Sequence, residues 1–315
     1  MPVLKYLSTW LPDSKTSLID NNFGKDNDFI INKTGFVSKV ISKDLSRDKK
    51  AVHFGVNACK KLFENRNFNK EDIDAILFVN QSYRNKLPHL SALIHNILDI
   101  HNENVFTADI GLGCTGYVQA LQIAKCMLLS NDFNNILIVT SDQYPDYLRV
   151  DDHNTQLIFG EGASASIVSN FGSGYKLGQY KNHIDSSASD AIEFDNENFI
   201  NMNGRKVFEY VMTRALKEIK AMIEKNNLDF DTNKCIFIPH QGSKFIIDML
   251  AKKLHIKNDG LFCSSKVGNL VSTSIPYVIE KKLGTKFTDL SESPDRVLLS
   301  GFGVGLSSSC MILDK

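Results

Sequence analysis

A cysteine inside a glycine pattern is the first place where this sequence could do chemistry. In "DIGLGCTGYVQAL" (109–121), Gly111, Gly113 and Gly116 spell G-x-G-x-x-G, the fingerprint of a dinucleotide-binding turn, with Cys114 inside it. The turn either cradles phosphates or presents a thiol. "VFTADIGLG" before it reads as a strand, and "TGYVQALQIAKCMLL" after it has apolar residues at helical spacing. Cys114 therefore falls near the first free N–H groups of a helix, where the dipole favours an anion. A thiol's ordinary pKa of roughly 8.5 drops toward neutrality at such a place, which suits a thiolate nucleophile. Two other readings stand beside this one. Asp142 lies 26 residues beyond Gly116, where a Rossmann unit places its ribose-binding acid. Against it, that fingerprint opens the first βαβ unit of a domain, and here a helix and a strand come earlier. A free cysteine is also often just a buried core residue.

Partners for a nucleophile come from the second half of the chain. His240 ends the strand-like "CIFIPH", and Asn269 opens the turn "VGNLVS" before a helix. Taken singly, a histidine at a strand end is a surface residue as often as not, and Asn269 reads as a helix cap. The elements that carry them change this. "DIDAILFVNQS" (72–82) resembles "TNKCIFIPHQGS" (232–243), so Asn80 matches His240. "VFTADIGLGCTGYVQALQIAKCML" matches "GLFCSSKVGNLVSTSIPYVIEKKL", and Cys114 falls on Asn269. "NNILIVTS" (134–141) matches "DRVLLSGF" (295–302). Each half thus reads as helix, strand, strand–turn–helix, strand, with helices expected over 51–65 and 207–225. A period of about half the chain means a duplicated α/β unit rather than a solenoid. Duplication puts the ends of corresponding strands on one edge, where a Cys, a His and an Asn from distant segments converge.

The bulk properties narrow the class. Lys+Arg and Asp+Glu are both 36, so the zero net charge argues against a dedicated nucleic-acid binder. No apolar run is long enough to span a membrane, and "MPVLKYLSTWLPDSK" lacks a signal peptide's apolar stretch. The six cysteines are scattered with no C-x-x-C pair, so a disulfide framework, a zinc site or any other metal centre is not expected. A reduced, cytoplasmic setting is.

With these motifs in place, the sequence resembles the β-ketoacyl-ACP synthase III family of the thiolase fold. The resemblance rests on "DIGLGCTGYVQALQIA", "LIFGEGASASIV" (157–168), "FIPHQGSKFII" (237–247), "VGNLVSTSIP" (267–276) and "LLSGFGVGLS" (298–307), at family spacing and in family order from "INKTGF" (31–36) onward. It implies an α/β protein with the duplicated, five-layered αβαβα thiolase architecture, one half over 1–170 and the other over 171–315, usually as a homodimer. It implies Cys114, His240 and Asn269 as catalytic residues. The implied activity is acyltransfer: an acyl thioester loads Cys114, and a malonyl thioester then condenses on it with loss of CO₂. The backbone N–H groups of Cys114 and Val304 would form the oxyanion hole, and Phe302, Gly303, Gly305 and Leu306 the substrate pocket. Acyl-CoA or an acyl carrier protein is the implied substrate partner, and no cofactor is required. The alternative is acyl transfer to an alcohol or amine with His240 as base. A third reading, a non-catalytic carrier-binding subunit, has no use for a complete Cys–His–Asn set.

The departures fall on the docking surface. Where many relatives carry "HQAN" and then an arginine, this chain has Ser243 and Phe245. His153 stands where a CoA-contacting arginine is common, Phe29 where a tryptophan stacks on adenine, and Glu209 where a lysine often faces the carrier. Arg214, Lys217 and Lys220 recur every three residues, and Lys244, Lys252 and Lys253 follow His240. The expected thioester and carrier docking set is therefore Phe29, Lys33, His153, Arg214 and Lys244. The sharpest expectation concerns the thiol. An acyl donor should add its acyl mass to the wild type and nothing to Cys114→Ser, read by intact-mass spectrometry; label persisting on Cys126 or Cys263 would overturn the assignment.

Overall fold

Two β-branched-rich runs set the frame. In the computed structural model, which describes residues 1–21, 23–64, 68–85, 87–232 and 234–315, β1 spans Val3–Trp10, β2 Ala75–Val79, β3 Phe106–Ile110, β4 Asn135–Asp142 and β5 Gly162–Ser169. β2 ("AILFV") and β4 ("NILIVTSD") are buried along their whole length, as strands covered on both faces must be. β6 spans Tyr175–Ile184, β7 Cys235–Pro239, β8 Arg296–Gly303 and β9 Ser307–Asp314. Hydrogen bonds order the nine as β7-β8-β9-β6-β1-β5-β4-β2-β3.

The two ends of this order repeat each other. β2 runs parallel to β4, which is antiparallel to β5; β7 runs parallel to β8, which is antiparallel to β9. Among the described residues two pairs, Val3–Lys176 and Leu4–Tyr175, join the halves at the β1–β6 seam. The chain crosses from one half to the other between Ser169 and Tyr175.

Helices α1 (Arg47–Glu64), α2 (Leu90–Ile97), α3 (Gly116–Leu129), α4 (Leu216–Asn226), α5 (Lys244–Leu254) and α6 (Ser274–Leu283) complete the layers. α3 and α6 lie between the halves and share one apolar core with β2, β4, β8 and β9. α1 and α2 cover the outer face of the first half, and α4 and α5 that of the second. The succession is αβαβα. Burying α3 on both sides requires apolar residues around most of it, and Tyr117, Val118, Ala120, Leu121, Ala124 and Leu128 supply them.

Two expectations need correction. The repeat places a strand before Asn269, matching β3, but 261–266 is irregular, with turn residues only at 261 and 265–266. Its backbone groups are taken by non-ladder partners: the Gln241 side chain donates to the Leu261 carbonyl and accepts from the Cys263 N–H, and the Ser265 carbonyl accepts from the Val37 N–H. The helix expected over 207–225 is in three pieces, Gly204–Tyr210, a π-helical turn Val211–Ala215, and α4.

Segment 157–162 packs directly against the second half. The Asn269 N–H donates to the Ile158 carbonyl (2.8 Å), and the Gly160 N–H donates to the Asn269 carbonyl (3.0 Å). Glu161, next in the chain, is held by Lys50 and by the Ser42 N–H, each at 2.7 Å. A Cβ on Gly160 would sit inside the van der Waals envelope of the Val267 carbonyl oxygen, which is backbone and cannot rotate away. Gly160→Ala should therefore destabilise by about 1–3 kcal/mol, the scale of overpacking. A urea midpoint equal to that of the wild type would show that the turn at Val267 yields freely.

Candidate active site

Cys114, His240 and Asn269 line one cavity of about 350 Å³. Each is delivered by a turn at a strand's C-terminal end or at a matching position. Cys114 sits between β3 and α3; Gly116 lets α3 start against β2, where a Cβ would meet Val79 at 2.5 Å. Gly113 clears the Gln81 side chain in the same way, whereas a Cβ on Gly111 would meet nothing within 4 Å. Two of the three fingerprint glycines are thus explained by close packing around a cysteine. Asp142, the Rossmann candidate, is 1% exposed and out of reach of a ribose.

The glycines at the end of β8 meet the nucleophile directly. A Cβ on Gly303 would lie 2.7 Å from Cys114 Cβ and 2.8 Å from its Sγ, and one on Gly301 2.8 Å from the Cys114 carbonyl oxygen. This approach brings the N–H groups of Val304 and Cys114 to the sulfur, where their hydrogen bonds favour a thiolate. Burial opposes them and is the larger effect: with the Asp142 carboxylate adding to it, it pushes the Cys114 thiol up to about 12. The expected near-neutral thiol is therefore corrected. Removing the sulfur from water disfavours its anion more than two N–H groups and a helix start favour it.

His240 follows β7, and its N–H donates to the Ser300 carbonyl on β8 at 2.8 Å. Its ring stands edge-on to Phe302, centroids 5.5 Å apart. Burial lowers its pKa to about 3, so the imidazole is neutral at physiological pH. Nδ1 is buried with no hydrogen-bond partner among the described residues.

Asn269 is fixed from both ends. Its backbone pairs with Phe159 as a β-bridge across the halves. Its side-chain oxygen accepts from the Val271 N–H (2.9 Å) and from Ser274 Oγ (3.1 Å). A backbone N–H can only donate, so the oxygen must face it and the NH₂ group is left as the donor on the cavity side.

The remaining wall is largely apolar: Tyr144, Ile158, Phe159, Ile192 and Met202 lie among the lining residues. None carries a sequence signal that separates it from ordinary core. Of the expected pocket residues, Phe302 and Gly303 line the cavity, as does Val304 of the expected oxyanion hole; Gly305 and Leu306 do not. Leu306 is turned into the core under α4 and α5, held by paired backbone bonds with Asp185.

The expected docking set divides. Phe29 and Lys33 line the cavity, and Lys33 Nζ sits 4.2 Å from the centre of the Phe245 ring, which stacks on Phe208. Lys244 lies between the lining residues Ser243 and Phe245, paired with Asp248 at 2.5 Å. His153 is away from the cavity wall, near Phe23, with ring centres 6.1 Å apart. Arg214 is in the π-helical turn, outside the cavity, while Lys217 and Lys220 flank a separate surface groove on α4. Lys252 and Lys253 end α5, roughly 12 Å along the axis from Lys244. Sequence reasoning missed Arg205, a rim cation paired with Glu209 at 2.9 Å. Only the fold brings it to the rim.

The thiol's burial has a direct readout. Alkylation needs the thiolate, whose fraction rises with pH until the pKa is passed. Iodoacetamide should therefore modify Cys114 about tenfold faster per pH unit from pH 7 to 10, without a plateau. A plateau near pH 8, read by peptide mapping, would show that the N–H groups outweigh burial.

The comparisons with known proteins agree with this geometry. The family model described as 3-oxoacyl-[acyl-carrier-protein] synthase III matches residues 108–186, and that of the family's C-terminal region matches residues 223–315. A β-ketoacyl-[acyl-carrier-protein] synthase III of Clostridium botulinum is 29% identical over 315 residues, covering 94% of this chain and 91% of the relative. One of Acholeplasma laidlawii is 26% identical over 305 residues, covering 96% and 93%. The solved 3-oxoacyl-[acyl-carrier-protein] synthase III of Aquifex aeolicus superposes with a TM-score of 0.89 at 22% identity over 100% of both chains, which shows a common fold. The two family models together span more than half of the sequence, and the chain belongs to the 3-oxoacyl-[acyl-carrier-protein] synthase III family, built on the duplicated thiolase fold.

Proposed function

We propose that the protein is a condensing acyltransferase that forms a β-ketoacyl product from an acyl thioester and a malonyl thioester. The observation that carries this reading is the locked Asn269 amide. A group that only donates cannot activate an alcohol or amine, but it can hold the oxygen of an enolate. In the first half-reaction Cys114 Sγ attacks the acyl carbonyl, and the thiol proton ends on the departing thiol. The tetrahedral oxyanion is met by the Cys114 and Val304 N–H groups, set in place before the reaction. In the second, the malonyl thioester loses CO₂, and the Asn269 NH₂ with the His240 ring N–H takes the negative thioester oxygen. A neutral imidazole has such an N–H to give, and burial keeps His240 neutral. The carbanion then attacks the acyl carbon, a carbon–carbon bond forms, and Sγ leaves as a thiolate that takes up a proton from solvent to restore the resting thiol. Every step is carried by thiol, imidazole and amide, so no metal or redox cofactor is required.

An acyl carrier protein or CoA is the proposed donor partner, with Lys33 and Arg205 rather than Arg214 as the nearest cations. A homodimer is proposed as well: β3 is an edge strand, and Phe106 on it and Leu129 at the end of α3 are about half exposed. Among the described residues no helix is long and apolar enough to cross a membrane. With all six cysteines free, a reducing cytoplasm is the proposed setting.

Substituting Asn269 separates the half-reactions. Asn269→Ala should still be acylated on Cys114 but release CO₂ from a malonyl thioester about a hundredfold to a thousandfold more slowly, the cost of one lost oxyanion donor. A wild type that releases no CO₂ from malonyl thioesters yet acylates an alcohol or amine would replace this reading.

A further inference from the structure

Asp142 ends β4 behind the cavity wall, and the proposed mechanism gives it no role. It is buried, and its bonded partners are neutral donors. Oδ1 accepts from the Gln81 N–H at 2.9 Å and lies 3.2 Å from Ser82 Oγ. Oδ2 accepts from Ser272 Oγ at 2.5 Å and lies 3.3 Å from the Ser272 nitrogen, whose N–H also donates to it. A buried carboxylate is costly unless such donors surround it. These donors come from the turn after β2 and from the segment before α6, so one side chain ties the two together.

The second segment is strained. Val271 has φ +52°, a left-handed conformation that a β-branched residue rarely adopts. It sits between Asn269 and Ser272, and its N–H is the one that fixes the Asn269 oxygen at 2.9 Å. Strain of this kind persists only where the surroundings over-determine it. Asp142 is bonded through both the N–H and the hydroxyl of the very next residue.

We propose that Asp142 is a positioning residue for the condensation step: its carboxylate clamps Ser272 so that the left-handed Val271 turns the Asn269 NH₂ group into the cavity. This rests on the reading that the Asn269 amide holds the enolate oxygen. An acceptor-only group is needed, because Asn at this position sets an NH₂ against one of the donors. Asp142 acts through Asn269 and touches no substrate.

The test uses the full chain as wild type, Asp142→Asn, Asn269→Ala and the double variant, with malonyl-CoA as the decarboxylation probe and iodoacetamide as the probe of Cys114. Asp142→Asn should lower CO₂ release about tenfold to a hundredfold. Alkylation of Cys114 at pH 8 should not fall, and should quicken as a nearby negative charge is removed. The double variant should be no slower than Asn269→Ala alone, since both changes disable one device. A parallel fall in CO₂ release and alkylation, or a double variant slower by the product of the two effects, would overturn the proposal. A crystal structure of Asp142→Asn gives an arm independent of the reaction. There the Val271 turn should relax and release the Asn269 oxygen; an unchanged turn would overturn the clamp. A wild type that releases no CO₂ counts against the proposed reaction, while the structural arm still decides the positioning. If Asp142→Asn does not fold, Ser272→Ala removes the shortest bond and keeps the carboxylate. It should slow CO₂ release about threefold to tenfold with alkylation unchanged, and equal losses in both would overturn the proposal.

Discussion

Everything at this site depends on how closely the end of β8 approaches the turn that carries Cys114. Gly301 and Gly303 leave no room for a side chain between the two backbones. That contact brings the Val304 N–H to the sulfur, closes the cavity floor and removes the thiol from water. The same approach therefore supplies both the oxyanion donors and the desolvation that raises the thiol pKa. A nucleophile built in this way stays protonated at rest. Its charge develops as the carbonyl arrives, in a setting where N–H donors act at low dielectric.

The duplication explains why the two halves present matching turns to one site, although the side chains on those turns differ in chemistry. Cys114 precedes α3, and Asn269 precedes α6, the two helices that share the central layer. One turn presents a thiol and the other an amide donor, while His240 enters from the strand beside them. The bridge between Phe159 and Asn269 couples the halves at the site itself. Any shift of one half against the other moves the donor relative to the nucleophile, which is why the small residues Gly160, Gly301 and Gly303 gather there.

The rim follows a different rule from the floor. Aromatic rings of Phe29, Phe208 and Phe245 stand at the entrance, and its cations are engaged: Lys33 over a ring, Arg205 with Glu209, and neighbouring Lys244 with Asp248. Such exposed pairs contribute little to stability and are weakened by salt.

The sequence by itself determined the strand–turn–helix around Cys114, the repeat of that order, and the convergence of Cys114, His240 and Asn269. These are legible because apolar periodicity and chain order are local properties, and a duplication maps one half onto the other. It did not determine the thiol's protonation state. Helix position and glycine spacing point to a lowered pKa, but burial comes from segments distant in the chain, among them Tyr144, Phe159, Val271 and the end of β8, and acts the other way. It could not tell that Arg214 and His153 stand off the cavity wall while Arg205 lines it, because a charge's position on a rim depends on where a π-helical turn and a short helix leave their faces. Spacing alone could offer Asp142 only as the acid of a rival nucleotide-binding reading. Only the tertiary structure shows that carboxylate facing Ser272 and the strained Val271, since a hydrogen bond spanning 130 residues leaves no periodic trace in the chain.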